Sequence, residues 1–92
     1  MKYFEWDENK RKINFEKHEI DFVDILELFD DSDRIEFENT YAGEKRFQTI
    51  GMIHEVIIFV VYTLRGSKKR IISARRASKN ERKTYYEQKN DG

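Results

Sequence analysis

The chain reads as an α+β domain with the element order β-α-α-β-β-β-β-α. Three observations predict this. Phe22, Ile25, Leu26 and Phe29 fall at i, i+3, i+4 and i+7, the spacing of one helix face. Four β-like runs follow one another between Arg34 and Arg76, separated only by short turns. Ser78-Lys79-Asn80-Glu81 then has the form of a capping box and opens a last helix. Consecutive strands on short loops pair antiparallel, so the expected architecture is an antiparallel sheet packed by helices.

Lys2 to Trp6 is a short first strand rich in aromatic β-formers. Asp7 caps a helix over about 8–18, whose only apolar anchors are Ile13 and Phe15. Asp21 starts the second helix, and Ile20 and Ile25 stand where a hydrophobic staple forms. Asp30-Asp31-Ser32-Asp33 ends it as a solvated loop, because acids at a helix C-terminus oppose the macrodipole. Arg34 to Asn39 is a strand with Ile35 and Phe37 inward. Tyr41 to Glu44 connects it to a strand over Arg46 to Ile53. His54-Glu55 is a tight turn, although His-Glu is not a favoured pair for one. Val56 to Leu64 opens with seven consecutive apolar residues, the mark of a central strand covered on both faces. Arg65-Gly66-Ser67 turns the chain into a strand over Arg70 to Arg76. The last helix runs to about Lys89, with a frayed tail at 90–92.

Ninety-two residues are read as one domain, 1–92, with a thin core. There is no cysteine, so neither a disulfide nor a thiolate metal site contributes, which fits a reducing cytosol. Charged residues fill the first twenty positions, so no signal peptide is read there. No apolar run is long enough for a membrane helix. The expected location is cytoplasmic.

The zero net charge hides two unlike halves. Residues 1–44 hold fourteen acids against six bases, whereas Arg65 to Lys83 hold nine bases and one acid, Glu81. A basic face on a small domain points to a polyanion. The acidic half argues against a plain basic nucleic-acid coat.

The ordered set of local sequences resembles the BrnT family of toxins. Its pieces are Phe4-Glu5-Trp6-Asp7-Glu8-Asn9-Lys10, Lys17-His18, Arg46-Phe47-x-Thr49-Ile50-Gly51, Val61-Tyr62-Thr63 before Arg65-Gly66, and Arg70-Ile71-Ile72-Ser73-Ala74-Arg75-Arg76-Ala77 leading to Glu81-Arg82 and Tyr85. The likeness covers about residues 3–87. It implies a RelE-like fold, a ribonuclease that arrests translation, and neutralisation by a BrnA-like antitoxin with a ribbon-helix-helix domain. It further implies a toxin–antitoxin heterotetramer that reaches operator DNA through the antitoxin and represses its own operon. His54-Glu55 departs from the glycine-containing turn of many relatives.

RNA is cut without metal when a base takes the 2′-OH proton, cations stabilise the phosphorane and an acid protonates the leaving oxygen. The sequence shows no metal-ligand spacing and calls for no cofactor; Asp30 to Asp33 lacks the glycine and final glutamate of a calcium loop. The expected catalytic residues are His18, Arg65 and Arg75. Imidazole serves as acid or base near neutral pH; His18 equally suits the C-terminal end of its helix, where a cation is favoured, and both readings stand. Arg65, in a turn beside Gly66, is either a phosphate clamp or a solvated turn residue. Arg75 and Arg76 point to opposite faces of their strand. Strict alternation puts Arg75 with Ile71 and Ser73, and Arg76 with Ile72 and Ala74. Arg75 is preferred for the site, with Arg76 paired to Glu5 or Asp7. Lys10 and Lys17, one helix face apart by seven residues, join Arg70, Arg76 and Arg82 as substrate-binding candidates; each is equally a solvated charge. Tyr62 and Trp6 are read as core, and Tyr85 and Tyr86 as facing different ways. The competing functions are a non-catalytic nucleic-acid module and a domain that only holds an antitoxin.

Overall fold

The structure, a computed structural model, describes residues 2–91. The elements in chain order are β1 (Phe4–Trp6), α1 (Glu8–His18), a 3-10 helix (Phe22–Asp30), β2 (Ile35–Tyr41), β3 (Glu44–Ile53), β4 (Val56–Arg65), β5 (Lys68–Arg76) and α2 (Lys79–Asp91). They give a mixed α+β fold around one five-stranded sheet, in the order β1-β5-β4-β3-β2. The sheet is not wholly antiparallel. β2 through β5 form an antiparallel meander, but β1 adds to the outer edge of β5 in parallel. The chain between β1 and β5 crosses the whole sheet, and that crossover frees the pairing direction from the short-loop rule.

Register and alternation define two faces. One carries Phe47, Ile58, Val60, Tyr62, Ile71 and Ala74 and is covered by Phe22, Ile25 and Leu28 of the 3-10 helix, flanked by Phe4 and Trp6. Gly51 allows this helix to approach closely: a Cβ there would lie 2.8 Å from Leu28 Cγ. The opposite face is covered only at one end, where Tyr85 of α2 packs with Ile50 and Ile57. β4 sits between the two, which explains its continuous apolar run.

Several expectations need correction. The first strand excludes Lys2, and the second helix is 3-10 rather than α, though its apolar stripe still faces the core. Ile13 and Phe15 do not anchor α1: they are 59% and 53% exposed, and the buried residue is Asn14. Phe37 is 49% exposed rather than inward: it borders an open hollow with Gln48 and the start of α2, while Ile35 on the same face of β2 packs against the Tyr85 cluster. Tyr41–Glu44 is a two-residue hairpin turn at Ala42-Gly43, and both strands run up to it. His54 and Glu55 both take positive φ (47° and 69°), the signs an I′ hairpin requires, despite having no glycine. Helix α2 continues through Asn90 and Asp91; the expected fraying at Gly92 lies outside the described residues.

Asp31 is a fixed structural group rather than solvated loop. It accepts bonds from Met52 N–H, Asp33 N–H and the Tyr85 hydroxyl, tying the 3-10 helix to β3 and α2. Burial pushes its carboxyl up, but those bonds and Lys89 outweigh burial and hold it below the usual range. The Arg11 guanidinium lowers Asp21, and the Arg75 guanidinium lowers Glu81. A carboxyl lowered in the native state adds stability above its unfolded pKa, and that stability is lost as pH falls through the native value. The urea midpoint is therefore expected to be greatest near neutral pH and to fall below about pH 5. A midpoint unchanged down to pH 3 would sink this account.

Candidate functional site

Helix α1 is held in place by polar contacts because it has almost no apolar face. Asp7 caps it through Asn9 N–H and Lys10 N–H. Arg11 grips Asp21 with two bonds, at 2.7 and 3.0 Å. Asn14 then closes the edge of β5. β1 pairs only with Lys69 to Ile71, leaving the rest of that edge without a strand partner. The Asn14 amide donates to the Ala74 carbonyl at 2.8 Å and accepts from Ala74 N–H at 3.0 Å, as a neighbouring strand would. It also donates to the Ile20 carbonyl.

This seating opens a hollow of about 250 Å³ between α1 and β5. Lys10, Ile13, Asn14, Lys17 and His18 line one side, and Ile72 and Ser73 the other. Three sequence-predicted residues, Lys10, Lys17 and His18, thus meet at one place. The lysines are exposed and His18 half-buried at the last turn of its helix.

Arg65, Arg70 and Arg75 fall on the half-open sheet face beside this hollow. Arg75 lies with its guanidinium 4.1 Å from the Phe59 ring centroid. It donates to both carboxylate oxygens of Glu81, at 2.8 and 2.9 Å. That pairing raises the Arg75 guanidinium and lowers the Glu81 carboxyl. Arg70 is held by Glu5. Arg65 is exposed at the β4–β5 hairpin, opposite Lys68 and before Gly66 at φ 60°. Five strand positions separate Lys68 from Ser73, about 15 Å along the strand, so Arg65 stands away from the His18 hollow.

Two candidates lie elsewhere. Arg76 pairs opposite Ile58 and points to the face away from Arg75. It forms no ion pair with Glu5 or Asp7; Glu5 is taken by Arg70. Arg82 donates to the Ala77 carbonyl and so braces the start of α2. The face assignment along β5 is also corrected. A bulge between Val61 and Tyr62 pairing leaves Ile72 as the extra residue. Arg75 still shares a face with Ser73, but Ile71 turns to the opposite side and is buried with Ala74.

Sequence reasoning missed Asn14, Glu81 and Arg46. Asn14 carries no signal in a polar helix. Glu81 was legible as a helix cap but not as a clamp on Arg75. Arg46 lies on the half-open face with its guanidinium 4.5 Å from the Tyr41 ring centroid. Tyr62, by contrast, is core as expected, with its hydroxyl bonded to Glu36. Tyr85 is buried and Tyr86 is 42% exposed.

Among the described residues no three His, Cys, Asp or Glu side chains gather as metal ligands. Nor is any helix there long and apolar enough to cross a membrane. The arrangement is one of cations, an imidazole and a hydroxyl around a shallow hollow, which suits a phosphodiester. A family model described as "Ribonuclease toxin, BrnT, of type II toxin-antitoxin system" matches residues 6–81. No curated protein matches the chain.

Proposed function

The chain belongs to the BrnT family of ribonuclease toxins of type II toxin-antitoxin systems, and from that premise we propose a metal-independent endoribonuclease working at the α1–β5 hollow and the adjoining sheet face. The observation that carries this reading is the meeting of Lys10, Lys17 and His18 beside Ser73. His18 is the acid–base group. The substrate 2′-OH gives up its proton as its oxygen attacks phosphorus, the bond to the 5′-oxygen breaks, and the departing oxygen takes up a proton, with His18 serving one of these two transfers and water the other. The products are a 2′,3′-cyclic phosphate and a 5′-hydroxyl. Lys10 and Lys17 hold the backbone at the hollow, and Arg75 offsets charge on the phosphorane. Arg65 and Arg70 meet flanking phosphates.

In the same reading the fold is RelE-like, and the toxin arrests translation in the cytoplasm. A BrnA-like ribbon-helix-helix antitoxin neutralises it in a heterotetramer that represses the operon. The basic, half-open face supports a steric form of inhibition, since an acidic antitoxin segment would compete there with RNA.

Purified protein, freed of antitoxin and held in excess EDTA, is expected to cut RNA and leave 2′,3′-cyclic or 3′-phosphate ends. Activity that vanishes in EDTA and returns with magnesium would remove metal independence. A folded sample that cuts neither naked nor ribosome-bound RNA would remove the endoribonuclease reading and leave a binding domain.

A further inference from the structure

We propose that the half-open sheet face carries a second subsite, beside the start of α2, that receives one unstacked RNA base. This rests on the ribonuclease reading and adds a recognition element to it. A separate hollow of about 240 Å³ lies there, lined by Phe37, Gln48, Ile50, Phe59, Asn80 and Thr84, with Glu81 closing one wall. It is smaller than the roughly 300–1,000 Å³ of pockets that hold drug-sized molecules, a scale suited to a single flat ring system.

Its chemistry favours a base over a phosphate. Glu81 places a carboxylate in the wall, and the nearest cation, Arg75, is already held by both of that carboxylate's oxygens. A phosphate would find no cation in this lining, whereas at the other hollow it would meet Lys10 and Lys17. The remaining groups match what a base offers. Phe37, 49% exposed, stands directly opposite Gln48 across the β2–β3 pair. It provides an aromatic surface on which any base stacks. Gln48 and Asn80 each carry an amide that both donates and accepts, the complement of a base edge. The cap of α2 is made by Ser78 and Glu81, which leaves the Asn80 amide over for this role.

The position also fits an RNA chain entering the other hollow. Gln48 on β3 and Ser73 on β5 are separated by β4 alone. That is two strand spacings, about 10 Å, a span an extended backbone crosses in a few nucleotides. A base splayed into this hollow would therefore be a near neighbour of the phosphate at His18, and the subsite would set where the chain is cut.

Nucleoside 5′-monophosphates and ribose 5-phosphate, titrated separately into the antitoxin-free protein, provide a test independent of cleavage. The side-chain amide signals of Gln48 and Asn80 in NMR spectra are expected to move with one base more than with the others, and not with ribose 5-phosphate. Phe37→Ala is expected to weaken that binding about tenfold, and Gln48→Glu with Asn80→Asp to change which base is preferred while the protein stays folded. Equal response to all four nucleotides and to ribose 5-phosphate would overturn the subsite. So would an unchanged map of cut sites in a Gln48→Ala, Asn80→Ala protein that still cleaves; the ribonuclease reading would survive that result. Base-selective binding by a protein that cuts nothing would support the subsite and sink the enzyme.

Discussion

Asn14→Ala is expected to be among the most destabilising single substitutions in the chain, at about 3 kcal/mol. Asn14 is 6% exposed and serves three backbone groups, the carbonyls of Ile20 and Ala74 and the N–H of Ala74. Leaving a buried polar group without its partner costs about 1–3 kcal/mol, and partial entry of water at the sheet edge offsets some of the total. A domain of this size has only about 5–15 kcal/mol to lose. The melting temperature should drop on the order of 15 °C. Asn14→Asp keeps the shape but cannot donate, so its carboxylate faces two carbonyls, and it should be at least as damaging. Urea unfolding checks both. A loss under 1 kcal/mol for the alanine variant would show that α1 is seated by something other than Asn14. Because the same residue holds Lys10, Lys17 and His18 beside Ser73, cleavage should fall with stability.

That dependence explains why the site was only half legible from sequence. Apolar periodicity found the second helix's core-facing stripe, though not its 3-10 winding, together with the central strand and the order of the meander, because those elements are positioned by burial. It misled on α1, where burial was sought in Ile13 and Phe15 while the docking group was an amide between them. Hydrogen bonds to backbone leave no periodic trace. The parallel joining of β1 was hidden for a related reason: short-loop logic governs neighbours in sequence, and β1 and β5 are not neighbours. The bulge at Ile72 has no signature in Ile71-Ile72-Ser73, yet it decides which residues flank Arg75. The capping box was visible as Ser78 to Glu81, but that Glu81 also clamps Arg75 follows only once β5 and α2 meet.

That clamp gives Arg75 two separable roles, and their separation makes the other large prediction. As a structural group, Arg75 ties β5 to α2 through Glu81 and covers Phe59. As the proposed phosphorane cation, it must offer charge to RNA while Glu81 keeps its plane fixed. Arg75→Ala is expected to lower kcat about 100-fold or more, the usual effect of removing one donor aimed at transition-state charge. Glu81→Gln removes the clamp and weakens the helix cap, costing about 1 kcal/mol in stability, but leaves the guanidinium in place, so kcat should change far less. Arg75→Lys keeps the charge but loses the planar, paired geometry, and should fall between the two. His18→Ala should match or exceed Arg75→Ala, with a loss of about 10²–10⁴-fold from removal of an acid–base group. Steady-state rates on one RNA, measured beside urea midpoints, sort these outcomes. Equal small rate losses in Arg75→Ala and Glu81→Gln, tracking equal losses of stability, would make Arg75 a structural tie and move the catalytic cation elsewhere on the face. Arg46 and Arg70, which lie on that face, would then be the next residues to change.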